Sequence, residues 1–535
     1  MDRPLYVYDN WSTYDELSDN VPLTEELAMQ QFHELLRLKK QGVKMDAYLM
    51  DAFWNAPDGG YIEWRKDRWP NGPEAWLAAC KENDILPGLW FPANTNFHIE
   101  PPLEWRDSLA ADEWGFCLFH GGFWKGFLEK LDYWYRQGVR VFKFDFADFR
   151  AATDELKLTM LPSQIRSRNI AAYRAGLLEF RSTHPESVFV AYNGFEEVEF
   201  MNRTDHKLRR LLDPAWLDVF DTIYCGDPRP ADAPLPNFWR TLDVYADHMV
   251  RFLNLGGLSL DQIDNCAFMI GRTGTCCRRG NADWKTTLLL SLARGGKVHM
   301  TLGNLEALSD EDGKWFARVQ NLFESEKPDF VGGLPGLGEL YGYQSMNLLT
   351  LVNPSLEAQL YTLPEGFEHQ IYSDGFVSLE TGTMTLGTGA MAVLGKSPVE
   401  LGSGENRLTY SFKIIEANWK ADGRLAEAAI PTPSQDLHIL FRQKDARENA
   451  VRTSGGAPPS GKPIPELLKI SVKSTGQELK VDRPDDHIIW SGLSWAWGIL
   501  PAGSAKAGDL LTIRLETSDL AVSQIFPSLL SANHR

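Results

Sequence analysis

GVRVFKFDFADF, residues 138–149, places two charges, Lys143 and Asp145, on one face of a segment that is otherwise apolar and aromatic. Side chains alternate across a β-strand, so Val141, Lys143 and Asp145 point one way while Phe142, Phe144 and Phe146 point the other. Burial of an unpaired carboxylate is costly or raises its pKa, and an ammonium two residues away keeps it ionised. Two readings of the strand follow. It carries either a structural ion pair in a core or an ionised, positioned carboxylate at a strand end, which is a nucleophile in waiting.

Outward from this strand, strand and helix patterns alternate through about residue 325. Apolar runs at 4–9 (PLYVYD), 45–51 (MDAYLMD), 85–92 (ILPGLWFP), 139–146 (VRVFKFDF), 187–194 (SVFVAYNG), 221–227 (DTIYCGD), 266–274 (CAFMIGRTG) and 297–304 (KVHMTLGN) read as eight strands. Between them lie helical patterns such as TEELAMQQFHELLRLKKQG, FWKGFLEKLDYWYRQG and QIRSRNIAAYRAGLLEF, several of which end at glycine. The stretch Glu196–Phe220 has the weakest helical pattern of these. Strands that alternate with helices pair in parallel, and eight such units close into a (β/α)8 TIM barrel.

After residue 327 the pattern changes to short alternating strands with turn residues (GELYGYQSM, NLLTLVNPS, TMTLGTG, AMAVLGK), the pattern of an antiparallel β-sandwich. From residue 404 a second β-rich region follows (LTYSFKIIEANW, DLHILFRQ, DLLTIRLE), interrupted by the loop-like GGAPPSGKPIPE. The expected organisation is a catalytic barrel over 1–327, a β-sandwich over 328–403 and a second β-rich accessory domain over 404–535, an α/β barrel with C-terminal antiparallel β-sandwich domains. A chain of 535 residues accommodates this division.

The formal charge of −18, with no long Lys/Arg run, excludes nucleic acid and an anionic membrane surface as natural partners and suits a neutral ligand. Six cysteines, among them the vicinal Cys276–Cys277 pair, show no CxxC spacing, so neither a zinc site nor a disulfide framework is signalled. The start MDRPLYVYDN has no basic-then-apolar leader and no apolar run approaches a membrane span. This points to a cytoplasmic protein, or to a periplasmic or secreted one with its leader removed. Eighteen tryptophans, many beside carboxylates, fit sugar binding and fit ordinary core packing as well. Trp490, Trp495 and Trp497 are open to both readings, as a sugar platform or a packed core.

Barrel enzymes draw their active-site residues from the carboxyl ends of the strands. Strand two ends in Asp51, strand three carries Trp90 and leads to Asn94, strand four ends in Lys143 and Asp145, strand five in Asn193, strand six in Asp227 and strand seven in Arg272. Asp145 and Asp227 thus face each other across the mouth, as glycoside cleavage requires of a nucleophile and a proton donor. Lys143 favours an ionised Asp145. Asp227 follows Ile223 and Cys225 on its own face, where desolvation raises a carboxyl pKa and keeps its proton. Asp227 in GDPRP reads equally as a turn residue.

At these residues the chain resembles the clan of retaining α-glycosidases that comprises glycoside hydrolase families 27, 31 and 36, with the melibiase-like α-galactosidases of family 36 most similar. The matching pieces are LMDAFWN with the following W-P-N-G, LPGLWFPAN, FKFDF, and IYCGDPRP with FWRTLDVYADHMVRF; together they span residues 1–400. The resemblance implies that Asp145 is the nucleophile and Asp227 the acid/base, that Lys143, Asp51 and Trp90 bind the sugar with Trp54, Asn193 and Arg240 beside them, and that no metal or cofactor takes part. It implies an α-glycoside as the carbohydrate partner. Where α-galactosidases of the clan carry two adjacent acidic residues, this chain has Asp51-Ala52, which leaves the identity of the sugar open. Asp243, in WRTLD, is a second candidate acid, and Asp148 a rival nucleophile without a lysine on its strand face. Arg229 and Arg272 read as sugar ligands or as surface ion pairs. Two other classes stand beside the glycosidase: a carbohydrate-binding protein without catalysis, and a metal-dependent sugar isomerase or epimerase, for which His98 and His299 are the only histidines on or near strand ends.

Overall fold

The computed structural model describes residues 3–534 except 12, 15–21, 53, 97–98, 199–209, 213–215, 224–259, 264, 271–283, 334–338, 355–357, 388, 405–409, 444–467, 483–494 and 519–524. The chain divides into two compact units.

The first unit is built on one eight-stranded parallel sheet, whose strands are β1 (Leu5–Asp9), β2 (Ala47–Met50), β3 (Leu86–Pro92), β4 (Val141–Asp145), β5 (Val188–Ala191), β6 (Thr222–Ile223), β7 (Asn265–Ile270) and β8 (Val298–Gly303). The spatial order runs β6-β5-β4-β3-β2-β1-β8-β7, and a parallel bridge from Ile223 to Ile263, just ahead of β7, joins the two ends into a barrel. Seven of the eight strands fall within the runs read from the sequence, and β7 starts one residue ahead of its run, at Asn265. The reason is physical: most of their residues are apolar or aromatic on both faces, which suits strands covered on both sides.

Alternation sorts those faces. Leu5, Val7, Ala47, Leu49, Val141, Val188, Val190, Tyr192, Val298, Met300 and Leu302 form one buried cluster inside the barrel. The opposite face of β3, β4 and β5 meets an aromatic layer, in which Phe91 packs on Phe127 and Phe144 on Phe127, Tyr173 and Phe189, with centroids 5.5–6.4 Å apart. Helices Glu25–Lys40, Glu74–Glu82, Phe123–Arg136, Pro162–Thr183 and Asp310–Phe323 follow their strands as the sequence predicts. Thr24 caps the first by accepting from the Leu27 amide, and Ser309 and Asp312 form a capping box on the last. The stretch Glu196–Phe220 departs from its helical reading: Glu196–Val198 and Arg210–Leu212 pair as an antiparallel hairpin.

The second unit holds the antiparallel sheets. A six-stranded and a three-stranded sheet, built from residues 329–403, enclose the core of Leu349, Leu351, Met384, Leu386 and Leu394. A four-stranded and a five-stranded sheet, from residues 410–534, enclose Leu437, Ile439, Phe441, Leu511, Ile513 and Leu515. Helix Trp284–Ala293, between β7 and β8 in the chain, belongs to this unit rather than to the barrel. Its Thr286 hydroxyl donates to Asp374 Oδ2 at 2.8 Å. Among the described residues no helix is long and apolar enough to cross a membrane. Trp490 and the side chains of Trp495 and Trp497 lie outside the description.

Candidate active site

At the carboxyl end of the barrel, the inward positions change from aliphatic to charged. Val141 is followed two residues on by Lys143 and two further by Asp145, all on one face of β4, and β1 and β2 lead in the same way to Asp9 and Asp51. Lys143, Asp51 and Asp145 are 3%, 3% and 7% exposed and Asp9 is fully buried.

Asp145 is held from several sides. Its Oδ1 accepts from the Phe146 amide at 2.8 Å, the Asn193 amide at 3.1 Å and Asn193 Nδ2 at 2.9 Å; Oδ2 accepts from Trp90 Nε1 at 3.2 Å. Burial pushes its pKa up, while the nearby Lys143 charge and the bonds from Asn193 and Trp90 pull it down; burial prevails. Phe146, directly after it, adopts φ +49°, a left-handed conformation in which a bulky residue is strained. That turn brings its own amide onto the carboxylate.

Lys143 does not pair with Asp145, as its place on the strand suggested. Its ammonium donates to Asp9 Oδ2 at 2.8 Å and Asp51 Oδ2 at 2.7 Å and lies 4.0 Å from the Tyr192 ring centroid. Alternation fixes a side chain's face but not the direction in which a four-carbon stem leans, and two carboxylates attract more strongly than one. Burial disfavours the Lys143 cation, but Asp51 and Asp9 outweigh it and hold it charged. Asp9 also accepts from the Trp11 amide at 3.0 Å, and Asp51 from Tyr14 OH at 3.3 Å. Burial and the Asp51 charge push Asp9 up to about 7 against the pull of Lys143.

Trp54 is corrected from a sugar ligand to a core residue. It is fully buried, its indole N–H donates to the Trp90 carbonyl at 2.9 Å, and it packs on Trp64, Phe91 and Trp134 at 4.9, 5.7 and 5.5 Å. Asp148 is a loop organiser: its backbone exchanges two hydrogen bonds with the Asn94 amide group, at 2.7 and 2.8 Å, and its Oδ1 accepts from the Arg150 amide at 2.9 Å. Burial pushes its pKa up. His299 is buried and stacks on Tyr6 at 5.5 Å. Cys80 and Cys117 are buried free thiols. Asp227, Arg240, Asp243, Arg229, Arg272, His98 and the Cys276–Cys277 pair lie outside the described residues. Among the described residues, no group of three or more His, Cys, Asp or Glu side chains could hold a metal ion.

Three residues were missed from sequence. Asp9 stands at the end of β1 as Asp51 does after β2, and an inventory of strand ends that included β1 would have found it. Trp11 and Phe146 pack, half-buried, on the inner cluster; Phe146, which strand alternation set on the opposite face, turns inward because β4 ends at Asp145 and its φ is +49°.

Gly194 places Asn193. Its φ is +98°, and a Cβ there would lie 2.1 Å from the Ala147 carbonyl oxygen, where the loops after β4 and β5 meet through Ala147 N–H to Asn193 O at 2.9 Å. Gly194→Ala must part these loops and withdraw two of the four donors on Asp145. We expect a loss of about 1–3 kcal/mol in urea unfolding, together with a fall in kcat. Unchanged kcat in a folded Gly194→Ala protein would show that Asn193 does not orient Asp145 for turnover.

No protein-family profile matches this sequence, and no curated protein does. Solved structures similar to the chain include a β-L-arabinopyranosidase of glycoside hydrolase family 27 from Geobacillus stearothermophilus, 12% identical over 74% of this chain and 98% of that one, TM-score 0.49. An α-galactosidase from Lactobacillus brevis is 12% identical over 74% of this chain and 55% of that one, TM-score 0.49. A family 36 α-galactosidase from Geobacillus stearothermophilus is 11% identical over 74% of this chain and 55% of that one, TM-score 0.46. This chain therefore spans about half the length of the two α-galactosidases.

Proposed function

We propose that the protein is a retaining glycoside hydrolase acting on an α-linked sugar of the galactose type, with Asp145 as nucleophile. The observation that carries this reading is the asymmetric holding of Asp145: among the described residues, three N–H groups fix Oδ1, while Oδ2 accepts from Trp90 alone. The carboxylate is thereby oriented with one oxygen left able to attack. In the first step Oδ2 bonds to the anomeric carbon as the glycosidic C–O bond breaks, and Asp227, assigned from sequence alone, gives its proton to the leaving oxygen. In the second, Asp227 takes a proton from water, whose oxygen displaces Asp145 and restores the original anomeric configuration. Lys143 and Asp51 suit sugar hydroxyls, and Trp11 and Phe146 offer aromatic surface to the apolar side of a ring. Arg240 joins them as a substrate contact by its sequence position.

The test is hydrolysis of a panel of p-nitrophenyl glycosides, led by the α-galactoside and including its 2-acetamido analogue, the α-glucoside and the β-L-arabinopyranoside. We expect turnover of one member with retention, followed by NMR of the first-formed anomer. Inversion would overturn the mechanism. Tight sugar binding without turnover of the panel or of longer natural glycans would make the protein a binding module.

A further inference from the structure

Lys143 and Asp145 sit two residues apart on one strand face, the arrangement that by default gives an ion pair. Such a pair would mask the oxygen that has to attack. The ammonium instead bonds Asp9 Oδ2 at 2.8 Å and Asp51 Oδ2 at 2.7 Å, reaching β1 across 134 residues of sequence. We propose that Asp9 is a positioning residue: with Asp51 it holds the Lys143 ammonium toward β1 and β2 and so keeps it from pairing with Asp145. The proposal rests on the reading of Asp145 as nucleophile.

One carboxylate would already balance the charge of one buried ammonium. The second, Asp9, is fully enclosed and is desolvated and repelled by Asp51, so its ionised form is held at a cost to the fold. A costly charge at a strand end beside a reactive group is where a functional role is expected. Asp9 is fully buried and bonded to Lys143 and the Trp11 amide, so its action runs through the lysine. Among the described residues, the titratable groups that face Asp9 are Lys143 on β4, Asp51 after β2, and the phenols of Tyr8 on β1 and Tyr48 on β2. Those that face Asp145 are Lys143 and Asp51, with Trp90 and Asn193 as neutral donors.

Asp9→Asn keeps the shape and removes the charge. Lys143 then has one carboxylate on each side, Asp51 and Asp145, and spends part of its time on the latter. Crystal structures of full-length wild-type and Asp9→Asn protein at pH 8, where wild-type Asp9 is ionised, read the position of the lysine without any need for turnover. We expect the Lys143 ammonium of Asp9→Asn within hydrogen-bond distance of Asp145, and kcat at pH 8 to drop roughly 10-fold with a smaller change in KM. The deficit should shrink as pH falls below about 7, where wild-type Asp9 is itself neutral, and Asp9→Glu should restore both position and rate. An ammonium that stays on Asp51 and away from Asp145 in Asp9→Asn, whatever happens to Tm or kcat, overturns the proposal and leaves Asp9 a structural partner. Should Asp9→Asn fail to fold, Asp9→Ser, read by the same structure, tests the same release of Lys143 and overturns it in the same way. If the lysine moves in a protein that turns over no glycoside, the lysine is held as proposed, and it is the nucleophile reading that fails.

Discussion

Asp145→Ala is expected to lower kcat on the best aryl glycoside by roughly 10³- to 10⁶-fold, the scale on which removal of a covalent nucleophile acts. The alanine leaves a space at the end of β4 with the donors Asn193 Nδ2 and Trp90 Nε1 still in place around it. A small anion such as azide fits that description. With an activated leaving group it should restore part of the rate and yield a glycosyl azide of inverted configuration, since a single displacement replaces two. Retained configuration in the azide product, or an Asp145→Ala protein with near-normal kcat, would remove Asp145 from the reaction. Circular dichroism should show an intact fold, because the loss falls on the chemistry and not on the core.

The second large effect is on stability. Lys143→Met leaves Asp9 and Asp51 buried against each other without a cation, and breaking a buried ion network in this way costs about 3–5 kcal/mol. The cost depends on pH, and its sign follows from linkage. Asp9 already has a folded pKa of about 7 against an ordinary value of 3.8. Between these values the folded state binds the extra proton, so stability falls as pH rises through the window. Without Lys143 the pull that lowers Asp9 disappears and the window extends upward. Urea unfolding of Lys143→Met should therefore show most of its deficit at pH 8 and less at pH 5, where Asp9 is neutral. An equal deficit at both pH values would mean that lost packing of the lysine stem, not uncompensated charge, is responsible.

The barrel was legible because its strands are runs dominated by apolar and aromatic residues, with polar groups confined to a few positions such as Asp9, Lys143 and Asp145. The inward placement of Lys143 and Asp145 was legible from a period of two. Partnership across the barrel was not. Nothing near YVYDN says that Asp9 reaches a lysine 134 positions away, and an Asp-Asn pair at the end of a strand reads as a turn. Trp54 was misplaced because it lies past the end of β2, where the pleat no longer dictates which way a side chain points, and an indole is at home either in a core or on a sugar. The hairpin at Glu196–Val198 and Arg210–Leu212 owes its form to pairing between segments that the helical reading treated as continuous.

β1 is clamped on both edges, by β8 from Leu5–Val298 to Asp9–Leu302 and by β2 from Val7–Ala47 to Asp9–Leu49. Asp9 ends both ladders. The strand that carries it gains its second neighbour only when β8, the last barrel strand in the chain, comes into place, so the buried charge cluster is completed by the most distant pairing in the barrel sequence.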